Sequence, residues 1–142
     1  IAITPIAGGS QTSASDTVSV STNNSSGYYL TLSDSDANTN LVNGGNNIAA
    51  HAGTQASPSA LANNRWGYRV DSIGGFSTGG AVENNVTTSS ITYAGIPASG
   101  SPNTIKTTGA TASGDTTTVW YAVKADTTNP NGTYSDIAST RG

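Results

Sequence analysis

The stretch Thr117-Thr118-Val119-Trp120-Tyr121-Ala122-Val123-Lys124-Ala125 decides the fold class. Val119, Tyr121 and Val123 recur at every second position, the period of a β-strand with one face buried rather than that of a helix. Val, Thr and aromatic side chains suit such a pleated, half-buried surface. Trp120 falls on the opposite face, where it is read as covering a sheet edge, and Lys124 shares that face.

Working outward, the same period recurs in short segments bounded by Gly, Asn, Ser or Pro. Asp16–Thr22 places Val18 and Val20 on one face, and Tyr28–Ser33 does so with Tyr28, Leu30 and Leu32. The intervening Asn23-Asn24-Ser25-Ser26-Gly27 reads as a turn, so these two predict a hairpin. Arg65–Asp71 directs Trp66, Tyr68 and Val70 inward and leaves Arg65, Arg69 and Asp71 to solvent. Ser90–Ala94 and Thr104–Thr107 are shorter strands, and Gly132–Ile137 is predicted as the last, after the turn Asn129-Pro130-Asn131-Gly132. Ile1–Ile6 is extended, and Pro5 fits it only to an edge. Ser57–Asn63 is the one candidate for a helical turn, with Pro58 at its start. About eight short strands with turns between them predict an all-β fold, an antiparallel β-sandwich of jelly-roll or immunoglobulin-like type. Residues 1–142 read as a single domain in which 1–11 form an extended donor or edge strand with a flexible joint.

Composition removes many functions. The chain has 142 residues with five Lys and Arg, eight Asp and Glu, a net charge of −3, one His and neither Cys nor Met. It has no basic footprint for nucleic acid. No apolar run approaches the ~20 residues that span a bilayer as a helix. Thiolate metal sites, disulfides and Cys nucleophiles are absent. His51 lies in Ala49-Ala50-His51-Ala52-Gly53 and reads as a surface loop residue, so no triad forms around it. The acids are scattered over turns and strand ends, unsuited to paired-carboxylate hydrolysis. No enzymatic activity is expected. Two Trp, six Tyr and one Phe, set within alternating segments of low charge, argue against disorder. The chain begins at Ile1, as after removal of an export signal or within a longer protein.

Four patterns bear on ligands or modification. Asp34-Ser35-Asp36-Ala37-Asn38-Thr39-Asn40 sets oxygen side chains at alternate positions, which makes Asp34, Asp36, Asn38 and Asn40 candidate calcium ligands. Asx-turns, in which each side chain satisfies nearby backbone, are the competing reading. Sequons occur at Asn23, Asn24, Asn85 and Asn131, and Asn85 and Asn131 are the candidate glycosylation sites. Lys106 and Lys124, with Glu83, Asp115 or Asp126 as the assisting acid, are candidate isopeptide partners, but they read as solvated strand lysines. Trp66, Trp120 and the tyrosines are mainly packing residues, with sugar stacking as the alternative.

Val18–Ser33 and Thr117–Asp126, together with Asn64–Val70 and Asn131–Asp136, resemble secreted, Ser/Thr-rich β-sandwich domains of Gram-positive and candidate-phylum bacterial surface proteins, of the fibre-subunit and wall-associated types. The resemblance implies an extracellular, cell-surface structural role and a homo-oligomer or filament as partner. In a pilus-like fibre a strand of one subunit completes the sheet of the next. Ile1–Ile6 is the natural donor, with Ile1, Ile3 and Ile6 as assembly residues, because it is apolar and precedes the joint Ala7-Gly8-Gly9-Ser10-Gln11. An ordinary first strand is the plain alternative. An adhesin or carbohydrate-binding module, with glycans or host and cell-surface ligands as partners, is the alternative function.

Overall fold

A computed structural model describes residues 1–142. The chain is all-β, with ten strands and no helix: β1 (Ser10–Thr22), β2 (Tyr29–Asp34), β3 (Leu41–Asn43), β4 (Asn46–Ala50), β5 (Ser59–Ala60), β6 (Arg65–Arg69), β7 (Thr92–Tyr93), β8 (Asn103–Thr107), β9 (Ala112–Ala125) and β10 (Ala138–Arg141). A five-stranded sheet in the order β1-β9-β6-β4-β3 curls into a half-barrel. A three-stranded sheet has the order β10-β2-β8, and β5 pairs with β7. Every pairing is antiparallel except β4 with β6, which is parallel, a departure from the uniformly antiparallel expectation.

The alternation read in β9 sorts its side chains as expected. Val119 and Val123 are buried in the main core, and Tyr121 packs against it. Leu30 and Leu32 of β2, Ile105 of β8, Ile48 of β4, and Trp66 and Tyr68 of β6 join the same core. Val18, Val20 and Tyr28 pack at its margin. Each fully buried aliphatic side chain contributes about 1.5–3 kcal/mol through its removal from water.

The predicted hairpin between Asp16–Thr22 and Tyr28–Ser33 does not form. β1 pairs with β9 continuously from Ser10↔Ala125 to Val20↔Asp115, while β2 lies between β8 and β10. The reason lies in the connection. Gly27 has φ +80° and passes so close to Thr108 that a Cβ there would overlap the Thr108 carbonyl. Tyr28 and Thr108 then bond, Thr108 N–H donating to Tyr28 O at 2.8 Å and Tyr28 N–H to Thr108 Oγ1 at 3.1 Å. Asn23–Gly27 is thus an arch that hands the chain to β8, not a reversal back along β1.

Three other expectations fail. Ser57–Asn63 forms no helical turn; Ser59 and Ala60 pair with β7 instead. The last strand is Ala138–Arg141 rather than Gly132–Ile137, and within the latter only Ser135 bridges, to Val42. Arg69 does not face solvent. It is 2% exposed, because residues 71–94 fold over the outer face of the five-stranded sheet, where Tyr93 and Leu61 also bury Ala122.

Under that cover Arg69 is fully engaged. Its Nε donates to Asp71 Oδ1 at 2.9 Å, Nη1 to Thr92 O at 3.3 Å and Nη2 to Ser77 O at 2.6 Å. The guanidinium lies 5.6 Å from the Phe76 ring centre, within cation–π range. Asp71 also accepts from the Gly79 and Gly80 amides. One buried cation therefore gathers a segment that has almost no ladder of its own.

Candidate functional site

The N-terminal arm is the first candidate. Ile1–Ile6 forms no β-ladder, contrary to the expected edge strand. Ile3 packs on the core, whereas Ile1 is 61% and Ile6 38% exposed. Ile1, Ala2 and Ile3 lie along a mostly apolar groove of about 540 Å3 whose other walls include Leu41, Ile48, Trp66, Tyr121, Val123 and Tyr134. β3 and β4 supply one wall and the chain around Ser135 the other, joined by the Val42–Ser135 bridge. The arm forms one side of this groove by side-chain contact, with no exchange of backbone hydrogen bonds along it.

Its fastenings are few. Thr4 N–H donates to Asn85 Oδ1 at 2.7 Å, and the Ser10 hydroxyl donates to Thr4 O. Gly8 and Gly9 follow, both at φ +91°, a conformation that other residues adopt only with strain. A Cβ at Gly9 would also overlap the Asn63 amide. Past this joint the chain is firmly held: Ser10, Gln11, Thr12 and Ser13 are all buried, between β9 and the segment Ala81–Val86. Gln11 and Val86 exchange backbone bonds at 2.8 and 3.0 Å.

Asn85, singled out as a sequon, is exposed and in left-handed conformation at φ 51°. Its side-chain oxygen serves Thr4, so the residue latches the arm. Asn85→Gly keeps that backbone conformation available and removes the acceptor. Hydrogen exchange at the Thr4 amide is expected to quicken about tenfold, the loss of one net hydrogen bond. Unchanged exchange would show that Asn85 does not hold the arm. The other sequon, Asn131, is exposed in the turn before Gly132, as are Asn23 and Asn24 in the arch.

The carboxylate loop follows the Asx-turn pattern. Asp36 Oδ1 accepts from Asn38 N–H at 2.6 Å and Asn38 Oδ1 from Asn40 N–H at 3.3 Å. Asp34 is separated from the rest by burial, at 1% exposure. No three acidic or histidine side chains converge as a metal centre. Beside Asp34 the structure places Asp136, whose carboxyl is pushed up by burial and by the neighbouring carboxylates of Asp34 and Asp36.

His51 is buried, not a surface residue. Its Nε2 lies 2.8 Å from Ser59 Oγ, and no acid orients the ring, since Nδ1 has no partner. Burial lowers its pKa. The ring borders a polar cleft of about 580 Å3 in whose wall no Trp or Tyr stands. Tyr29, at 62%, is the most exposed aromatic ring; Trp66 is buried, with Nε1–H donating to Thr39 O at 2.9 Å.

The lysines are placed as solvated strand residues would be. Lys106 Nζ donates to Asp115 at 2.7 Å, which raises its pKa and keeps it charged rather than nucleophilic. Asp126 is held at about 2 by the Thr128 hydroxyl and the Asn64 amide, so it is not the protonated acid that amide formation beside Lys124 requires.

No protein-family model, curated protein or solved structure matches this chain.

Proposed function

We propose that the chain is a non-enzymatic extracellular structural protein, a self-assembling subunit of a cell-surface layer or pilus-like filament, with its sheets as the halves of a β-sandwich. The observation that carries the reading is the apolar groove lined by the chain's own N-terminal arm, which lies there without a ladder beyond a two-glycine joint. A segment held so lightly in its own subunit can occupy the same groove of another copy at little net cost, the physics of strand donation and domain swapping. Ile1, Ile3 and Ile6 are the exchanged side chains. The buried strip Ser10–Ser13 anchors the donor, because its backbone is bonded on both edges.

Hydroxyl and amide side chains supply most of the polarity, which suits a surface that must remain soluble while presenting few charges. Size analysis of the purified chain over a range of concentrations, with electron microscopy of the same samples, tests the proposal. Concentration-dependent polymers are expected. A monomer at every concentration that binds glycans would replace this reading with the adhesin.

A further inference from the structure

Asp34 and Asp136 meet where the C-terminal strand closes on β2. Ala138 stands opposite Asp34 in the β10–β2 register, and Ser35 N–H donates to Ile137 O at 2.8 Å, which brings Asp136 to the end of β2. Asp34 is 1% exposed and its Oδ2 has no hydrogen-bond partner; Asp136 Oδ2 is also buried and also unpartnered. Neither carboxylate belongs to an ion pair, for the salt bridges of the molecule are Arg69–Asp71 and Lys106–Asp115. Two adjoining carboxylate oxygens out of water, with no donor and no counter-charge, repel one another, and either a proton shared between them or a bound cation relieves that repulsion.

We propose that Asp34 and Asp136 bind a hard divalent cation of the calcium class, which fastens the C-terminal strand to β2. Calcium suits the pair because it takes six to eight oxygens in flexible geometry and accepts water and main-chain carbonyls beside two carboxylates. Magnesium demands a stricter octahedron and keeps its own waters. The site differs from the loop motif visible in the sequence. It uses Asp34 with a residue from the far end of the chain, and it omits Asn38, whose amide oxygen is occupied by Asn40 N–H. With so few charged ligands the affinity belongs in the range of extracellular modules, about 10⁻⁴–10⁻³ M. The inference is independent of the subunit reading, since it concerns the folded chain in any assembly state.

The test is the melting temperature of the full chain at pH 7.5 and constant ionic strength, in chelator, in about 10 mM calcium chloride and in about 10 mM magnesium chloride, with calorimetric titration of calcium alongside. Calcium is expected to raise it by about 3–8 °C, with a smaller effect of magnesium. Asp136→Asn, nearly isosteric and one repelling charge fewer, should abolish the rise, and Asn38→Ala should retain it. No rise and no calorimetric binding would overturn the proposal. So would equal rises with both metals, or a rise that survives in Asp136→Asn, which would place the ion on the loop.

Discussion

Removal of Ile1–Ile6 is expected to abolish polymers while leaving a soluble, folded and weakened domain. The weakening is modest because only Ile3 of the arm packs on the core, and it does so incompletely. Loss of that burial is worth about 1–2 kcal/mol, or about 3–6 °C in melting temperature for a chain of this size. Under strand donation the effect on assembly would be all-or-none, since the arm would be the donated part. A synthetic peptide of the arm's sequence should restore the lost stability to the truncated chain without restoring polymers. It replaces the arm's contacts along the groove but is tethered to no second subunit. Polymers of normal length from the truncated chain would refute strand donation, and the exposed edge of β1 beyond Ser13 would become the place to look for lateral contact.

The second large effect is on stability. Arg69→Ala is expected to cost on the order of 3 kcal/mol, because it opens a cavity and leaves the Thr92 and Ser77 carbonyls without their donor. Against the 5–15 kcal/mol typical of a domain that is a large share, and it corresponds to a fall of about 10 °C in melting temperature. Urea denaturation measures the total. Hydrogen exchange should show residues 71–92 losing protection first, as this segment depends on the guanidinium rather than on a ladder. A cost under about 1 kcal/mol would mean that Arg69 does not organise the segment. Acid acts on the same contact. Burial alone would raise the Asp71 carboxyl, but the Gly80 amide, Arg69 and the Gly79 amide outweigh it and hold it below the ordinary range. Its contribution is therefore complete above the unfolded value near 4 and is lost as pH falls through the depressed folded value.

Only the local part of this structure leaves a signal in the sequence. β9 was legible because every second side chain is apolar and the strand needs no other information to choose its inner face. Trp66, Tyr68 and Val70 were legible for the same reason. Arg69 was not, since alternation assigns it outward and only the irregular chain from 71 to 94 covers it. Before Ser90 that chain has no period to read. Ser10–Ser13 was invisible as buried structure because its cover, Ala81–Val86, is irregular chain that it meets through backbone and polar side-chain bonds, neither of which leaves an apolar pattern to read. The arch at Asn23–Gly27 carries the residues of a reversal, and nothing within it reveals that the partner is Thr108. Ala138–Arg141 joins β2 mainly through main-chain pairing and has no apolar stripe to announce it.

The candidate sites divide in the same way. The apolar character of Ile1–Ile6 and the glycines behind it can be read directly, whereas the groove walls come from Leu41, Ile48, Tyr121 and Tyr134, brought together by topology. Asn85 carries a modification motif, but its hold on Thr4 appears only when residues 81–86 lie against β1. Asp34 was visible within an acidic loop. Its neighbour Asp136 was not, because the register of β10 on β2 is what joins two distant acids.

The register of β1 on β9 has a mechanical corollary. Ser10, where the arm leaves, stands opposite Ala125, and the groove wall formed by Tyr121, Ala122 and Val123 lies at that same end of β9. In a polymer linked through these points, tension would cross each subunit by a short route through one corner. The far ribbon, from Thr17 paired with Thr118 to Thr22 paired with Ala112, would bear none of it. A pull along the axis of β1 would strain the near rungs, from Ser10 opposite Ala125 to Asp16 opposite Val119, together in shear, so that resistance to rupture would be shared among them instead of failing bond by bond.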